Sequence, residues 1–215
     1  MTHITIVLAD DHKLVRQGVR SLLDAQPGFE VVGEANDGQV ALDLIESLSP
    51  SIAIMDVMMP NLNGIEAARI ACQRGLKTKL IFLSMHANPT YAVRALQSGA
   101  LAYVLKDADF TEILLAIQNV MDGKRYISSA IADEVLETLL KADADKSNTL
   151  DVLSPREREI LQLIAEGNTN AVVAEKLTLS VRTVEAHRAH IITKMRFNSQ
   201  SDLVRFAILQ GLIVA

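Results

Sequence analysis

The sequence predicts an α/β fold, a doubly wound five-stranded parallel sheet, joined by a linker to an all-α domain of four helices carrying a helix-turn-helix. Three observations carry that reading. In the first half, short apolar runs alternate with longer amphipathic stretches at strand-to-strand intervals of twenty-odd residues, the rhythm of βα units. The runs are continuously apolar, as in a sheet covered on both faces. From residue 151 onward the pattern is wholly helical and is punctuated by caps and turns.

The predicted strands are ITIVLA (4–9), VVGEA (31–35), IAIM (52–55), LIFL (80–83) and AYVL (102–105). A fifth helix over about 111–122 and the turn Asp122-Gly123 close a first domain, 1–122. Residues 123–150 read as a linker with a short helix, its tether at 143–149 rich in Asp, Lys, Ser and Asn. The second domain, 151–215, opens on Ser154-Pro155-Arg156-Glu157. There Ser is the N-cap, Pro takes the first helical position and Glu closes a capping box. Gly167 ends that helix. A second helix spans about 170–177, Thr178-Leu179-Ser180 forms a turn, a third helix covers 181–195, and a fourth runs from about 201 to Gly211.

Composition narrows the function classes. With 215 residues, 49% of them apolar and 22% charged, the chain has material for real cores, which excludes disordered and fibrous classes. The single Cys72 forms no intramolecular disulfide, and the five histidines do not combine with it in a zinc spacing, so a reducing, cytoplasmic setting is expected. No apolar run approaches the roughly 18 residues of a membrane span. The net charge of −5 is unevenly spread: residues 1–122 hold 9 Lys and Arg against 14 Asp and Glu, whereas 151–215 hold 8 against 7. Within 182–196, Arg182, Arg188, Lys194 and Arg196 face Glu185 alone, a local +3 able to attract a phosphate backbone.

Four of the five strands run into polar residues at their carboxyl ends: Asp10 and Asp11, Asp56, Ser84, and Lys106. In open α/β sheets that edge binds ligands. Three carboxylates there suit Mg²⁺, a hard ion that prefers oxygen, with Lys106 as a second positive contact and Ser84 as a hydroxyl donor to phosphoryl oxygens. Each has a plainer alternative: Asp11 as a helix N-cap, Ser84 as a helix start, Lys106 as a solvated surface lysine. Asp56 is harder to assign so, because an unpaired carboxylate at the end of a central strand is costly.

The order DD, then D in IMDVMMPNLNG, S in FLSMH and K in AYVLKD resembles the receiver domain of two-component response regulators over residues 4–122. The resemblance implies the flavodoxin-like receiver fold, Asp56 as phosphoacceptor, and Asp10, Asp11 and the Met58 carbonyl beside it as Mg²⁺ ligands. It also implies Lys106 as the phosphoryl-contacting lysine, Ser84 as the switch hydroxyl and Tyr103 as the switch aromatic. Asp107 follows Lys106 where the broad family has proline, so no cis-proline is expected there.

On a helical wheel of the third helix, Val181, Val184, Ile191 and Met195 line one face, and Arg182, Glu185, Ala186, Ala189 and Thr193 the opposite one. Small side chains on the outer face permit close approach to a major groove, with Thr183, His190 and Lys194 flanking it where phosphates lie. His187 completes the candidate DNA-contacting set; Arg188 either braces the scaffold or reaches a phosphate. The segment LSPREREIL, the TVEAH run at 183–187 and DLVRFAI resemble the LuxR-type DNA-binding domain. Its pairing with a receiver resembles the NarL/FixJ subfamily. Two departures stand out: Ala171 where a basic residue is common, and Arg196-Phe197 after the third helix. The resemblance implies a transcriptional regulator with a sensor histidine kinase and double-stranded promoter DNA as partners. It further implies a homodimer when phosphorylated and no enzyme activity beyond self-phosphorylation and self-dephosphorylation. The alternative is a receiver whose helical domain binds a protein. A metal-dependent enzyme lacks a substrate loop such as GxxxxGK[ST].

Overall fold

The computed structural model describes residues 3–142, 149–197 and 199–213. The chain divides into two compact units, Met1–Asp145 and Lys146–Ala215. The tether expected at 143–149 lies, apart from residue 149, outside the described residues.

In the first unit the strands β1 (Ile4–Ala9), β2 (Phe29–Ala35), β3 (Ile52–Met55), β4 (Lys79–Ser84), β5 (Ala102–Leu105) and β6 (Tyr126–Ile127) form one parallel sheet in the order β2-β1-β3-β4-β5-β6. The five predicted strands all form. The sixth is two residues long and gives no apolar run to read. Helices α1 (Lys13–Asp24) and α5 (Phe110–Met121) cover one face. The other is covered by α2 (Gly38–Leu48), α3 (Gly64–Gln73), α4 (Pro89–Gln97) and α6 (Ala132–Ala142).

Alternation within strands divides the apolar layers. Ile6 and Leu8, Ile52 and Ile54, and Ile81 and Leu83 pack with Ile113, Ile117 and Val120 of α5. Val7, Ala53, Met55, Leu80, Phe82 and Tyr103 pack with α2, α3 and α4. Both layers are sealed, which is why the strands read as unbroken apolar runs.

The segment beyond 122 is tied into this unit rather than left as a connector. β6 pairs with β5, and α6 packs on α4 through the fully buried Val135, with Ile131 of the preceding turn in the same apolar cluster. The physical reason is apolar content: Ile131 and Val135 fill the edge of the layer under α4, and burying them is worth more than leaving them in a solvated tether.

The second unit contains α7 (Pro155–Ala165), α8 (Asn170–Lys176), α9 (Val181–Met195) and α10 (Gln200–Leu209) around Leu153, Ile160, Leu161, Ile164, Val173, Val184, Ile191, Leu203 and Ala207. The predicted capping box forms: the Ser154 hydroxyl accepts from the Glu157 amide, and the Glu157 carboxylate accepts from the Ser154 amide at 2.8 Å. Gly167, at φ 88°, stops α7, and Thr178, at φ 54°, turns the chain between α8 and α9. Arg196, at φ 55°, caps α9 in the left-handed region, so the helix ends at Met195 without a glycine. Phe197 packs its ring on Phe206 at 5.3 Å and anchors that turn. One wheel assignment is corrected: Val181 is 42% exposed. As the first residue of α9 it lies beyond the core that Val184 and Ile191 enter.

Candidate phosphoacceptor site and nucleic-acid face

The carboxyl ends of β1, β3, β4 and β5 converge, and with them the predicted side chains. Asp10 follows β1, Asp56 follows β3, Ser84 ends β4 and Lys106 follows β5. The backbone fixes these ends. The Asp56 amide donates to the Ala9 carbonyl at 2.8 Å and the Lys106 amide to the Ser84 carbonyl at 2.8 Å. The loop after Asp56 is held close by Gly64, where a Cβ would sit 2.0 Å from the Asp56 carbonyl oxygen. Only glycine permits that approach.

Lys106 Nζ lies 2.5 Å from Asp56 Oδ2 and 2.7 Å from Asp10 Oδ2, with all three side chains almost wholly buried. Two carboxylates thus share one ammonium, and the pocket keeps a net negative charge. Burial pushes the Asp56 carboxyl above its ordinary value; Lys106 pulls the other way and Asp10 adds to the rise. Burial alone would lower Lys106, but its contacts with Asp10 and Asp56 override this and raise it. Asp11 is exposed beside them, and the donor atoms of Asp10, Asp11, His12 and Asp56 lie within 4.8 Å of one another. This donor set, chiefly carboxylate oxygen, fits a hard divalent cation.

Met58 meets Asp56 through its amide, which donates to Asp56 Oδ1 at 3.3 Å. Ser84 is fully buried, and its hydroxyl accepts the His86 amide at 3.1 Å. Tyr103 points inward, fully buried, and donates to the His86 carbonyl at 2.8 Å. Burial pushes its hydroxyl far up, with Ser84 opposing the shift.

Two neighbours escape a reading of the sequence. His12 donates its amide to Asp10 Oδ1 at 2.8 Å and brings Nδ1 within 2.8 Å of Asp11 Oδ1. Arg16 donates to the Asp10 carbonyl at 2.5 Å and to Glu34 at 2.9 Å. Adjacency to Asp11 could have flagged the histidine; the pairing of Arg16 with Glu34 on another element has no local signal.

In the second unit, Arg182, Glu185, Ala186, Ala189, His190, Thr193 and Lys194 are exposed on α9, while Thr183 and His187 are half-buried. Thr183 is engaged at the helix start, its hydroxyl 2.7 Å from that of Ser180. Lys194 Nζ lies 2.7 Å from a Glu157 oxygen, so part of its charge is answered within the unit. Burial alone would raise Glu157; Lys194 and the Ser154 contacts outweigh it and hold the carboxyl below its usual range. Arg188 donates to Asn170 of α8 at 3.3 Å and to Gln200 of α10 at 2.6 Å, the bracing arrangement.

Fold and site together define a signalling receiver coupled to a helix-turn-helix module. Residues 6–118 match the family described as the response regulator receiver domain, and residues 151–207 match the bacterial regulatory proteins of the luxR family. The oxygen regulatory protein NreC of Staphylococcus aureus is 38% identical over 97% of this chain and 98% of its own. The transcriptional regulatory protein DegU of Brevibacillus brevis is 34% identical over 97% and 94%. A solved complex of the response regulator RcsB with DNA covers 95% of this chain and 98% of its own, at 25% identity and a TM-score of 0.60.

The chain belongs to the two-component response regulators of the NarL/FixJ type, with a receiver domain and a LuxR-type DNA-binding domain. It is a transcription regulator and not an enzyme of the ordinary kind. Receiver domains bind Mg²⁺ at such an acidic group. Among the described residues, no helix is long and apolar enough to cross a membrane.

Proposed function

We propose that Asp56 accepts a phosphoryl group from a sensor histidine kinase in the cytoplasm, and that this modification controls dimerisation and promoter binding through α9. An Asp56 carboxylate oxygen attacks phosphorus. The bond from phosphorus to the donor nitrogen breaks, its electron pair leaves with the imidazole, and an aspartyl phosphate remains. Bound Mg²⁺, held by Asp10, Asp11, Asp56 and the Met58 carbonyl, would neutralise charge on the phosphoryl oxygens. Lys106 exchanges its contact with Asp56 for one with the new phosphoryl oxygens, Ser84 donates its hydroxyl to another, and Tyr103 follows as the switch aromatic. Water attack on phosphorus reverses the modification. The observation that carries this reading is Lys106 Nζ bridging Asp10 and Asp56 at 2.7 and 2.5 Å on the sheet's carboxyl edge. A cation already sits where phosphoryl charge would arrive.

On the DNA side, Arg182, Glu185, Ala186 and Ala189 face the groove. Thr183, His187, His190 and Lys194 lie toward the backbone, with Lys194 trading Glu157 for phosphate. In the domain plan, residues 1–122 carry the receiver's chemistry, 123–142 extend that unit as β6 and α6, and 151–215 form the DNA-binding domain. Asp56→Asn is expected to abolish Mg²⁺-dependent labelling by acetyl phosphate while the chain stays folded; label retained on that variant would reject the acceptor assignment.

A further inference from the structure

The end of β5 poses a hydrogen-bonding problem. Its neighbour β6 is two residues long and pairs only with Ala102 and Tyr103. The chain then leaves the sheet: the Ser128 amide still donates to the Tyr103 carbonyl at 2.9 Å, but the Ser128 carbonyl is taken by the Ile131 amide at 3.0 Å as the Ser129–Ile131 turn begins. The Leu105 amide, next along β5, therefore has no strand carbonyl to meet. It donates instead to the Ser128 hydroxyl at 3.0 Å, in a buried contact where Ser128 is 1% exposed. A side chain has taken the place of a backbone acceptor in the ladder, which lets the chain turn away without leaving a buried amide unmatched.

Leu105 immediately precedes Lys106, whose amide is tied on its other side to the Ser84 carbonyl at 2.8 Å. The strand end that carries the lysine is thus pinned by two hydrogen bonds that it donates, one to β4 and one to the segment leading into α6. We propose that Ser128 is a positioning residue for Lys106, its hydroxyl fixing the end of β5 so that the ammonium is held at the phosphoacceptor. This rests on the assignment of Asp56 and Lys106 given above. The same residue opens the turn that packs Ile131 and Val135 beneath α4, so the lysine and the connecting segment share one anchor.

The test uses the full-length chain with Mg²⁺ and acetyl phosphate. Removing the hydroxyl in Ser128→Ala slows labelling at saturating donor about fivefold, which at about 1.36 kcal/mol per decade is about 1 kcal/mol. The half-saturating Mg²⁺ concentration is expected to stay within about twofold, since Asp10 and Asp11 are untouched. Ser128→Thr, which keeps the hydroxyl, restores the rate. Ser128→Ala labelling at the wild-type rate overturns the proposal, as does Ser128→Thr labelling as slowly as Ser128→Ala when both melt like wild type. Should Ser128→Ala fail to fold, Ser128→Cys, close in volume but a weak acceptor, decides: a wild-type rate overturns the proposal and a slowed one upholds it. In the wild-type chain the Leu105 amide should resist hydrogen exchange; rapid exchange there also counts against it. Asp56→Asn runs alongside: if it labels, the acceptor reading itself has failed, whereas an unlabelled Asp56→Asn beside a normal Ser128→Ala removes only the role of Ser128.

Discussion

The acidic pocket and the α9 surface solve opposite physical problems. In the pocket, two carboxylates and one ammonium are withdrawn from water, and each depends on the others: Lys106 answers Asp10 and Asp56 at once. On α9 most of the candidate contact residues remain in solvent, and the buried polar work is done beneath them by Glu157, which completes the cap of α7 and answers Lys194. A site for chemistry tolerates no loss of a partner, whereas a surface for binding loses affinity in increments.

Removing one member should expose that difference most sharply in the pocket. Lys106→Met leaves two buried carboxylates without their cation, an expected loss of about 3–5 kcal/mol in Mg²⁺-free buffer, read by urea unfolding of the first unit. Labelling of Asp56 should fall with it. A loss under about 1 kcal/mol would mean that water already screens the three charges, and the contrast with α9 would dissolve.

The scaffold under α9 should respond less, and with a defined pH signature. Glu157 is held below its ordinary value of 4.5, so its contribution to stability is fully present above that pH and is lost as pH falls through the depressed folded value. Glu157→Gln, which removes the charge that answers Lys194, should cost about 1–2 kcal/mol at pH 7. The gap from wild type should close on acidification, and a gap of constant size would show that the cap geometry, not the charge, does the work. Asp56 has the opposite sign. Its raised value means that the native state holds that proton more readily than the unfolded chain, so this group weakens stability as pH rises above its ordinary 3.8.

The smallest effect belongs to the surface itself. Arg182→Ala should change stability by less than about 0.5 kcal/mol. With its guanidinium facing the groove, sequence preference should relax while the slope of log affinity for DNA against log salt stays nearly unchanged. A slope that falls by about 1, with preference kept, would instead place Arg182 on phosphate. Lys194→Ala offers a useful contrast, because it disturbs both DNA contact and the Glu157 brace.

Much of the fold was legible in the chain because its signals are local. Strand runs end directly in Asp10, Asp56, Ser84 and Lys106, so finding the strands finds the side chains that converge in the candidate site. Ser154 to Glu157 announce a helix start by type and spacing alone. What escaped the sequence is non-local. Arg16 reaches Glu34 across elements, and Ser128 reaches Leu105 across 23 residues. β6 is too short to carry an apolar run. Val181 belongs to the apolar wheel face by periodicity, yet the core ends before the first residue of α9, which the wheel cannot register.

The docking of α6 on α4 has a practical consequence for where this protein can be cut. A fragment trimmed at residue 122 would keep every residue of the acidic pocket but strip away Ser128, Ile131 and Val135. The underside of α4 would be left wet and the last inner strand without its outer neighbour. A fragment carried through residue 142 retains them all, so a cut that respects the packing falls beyond a helix that the sequence assigns to the linker.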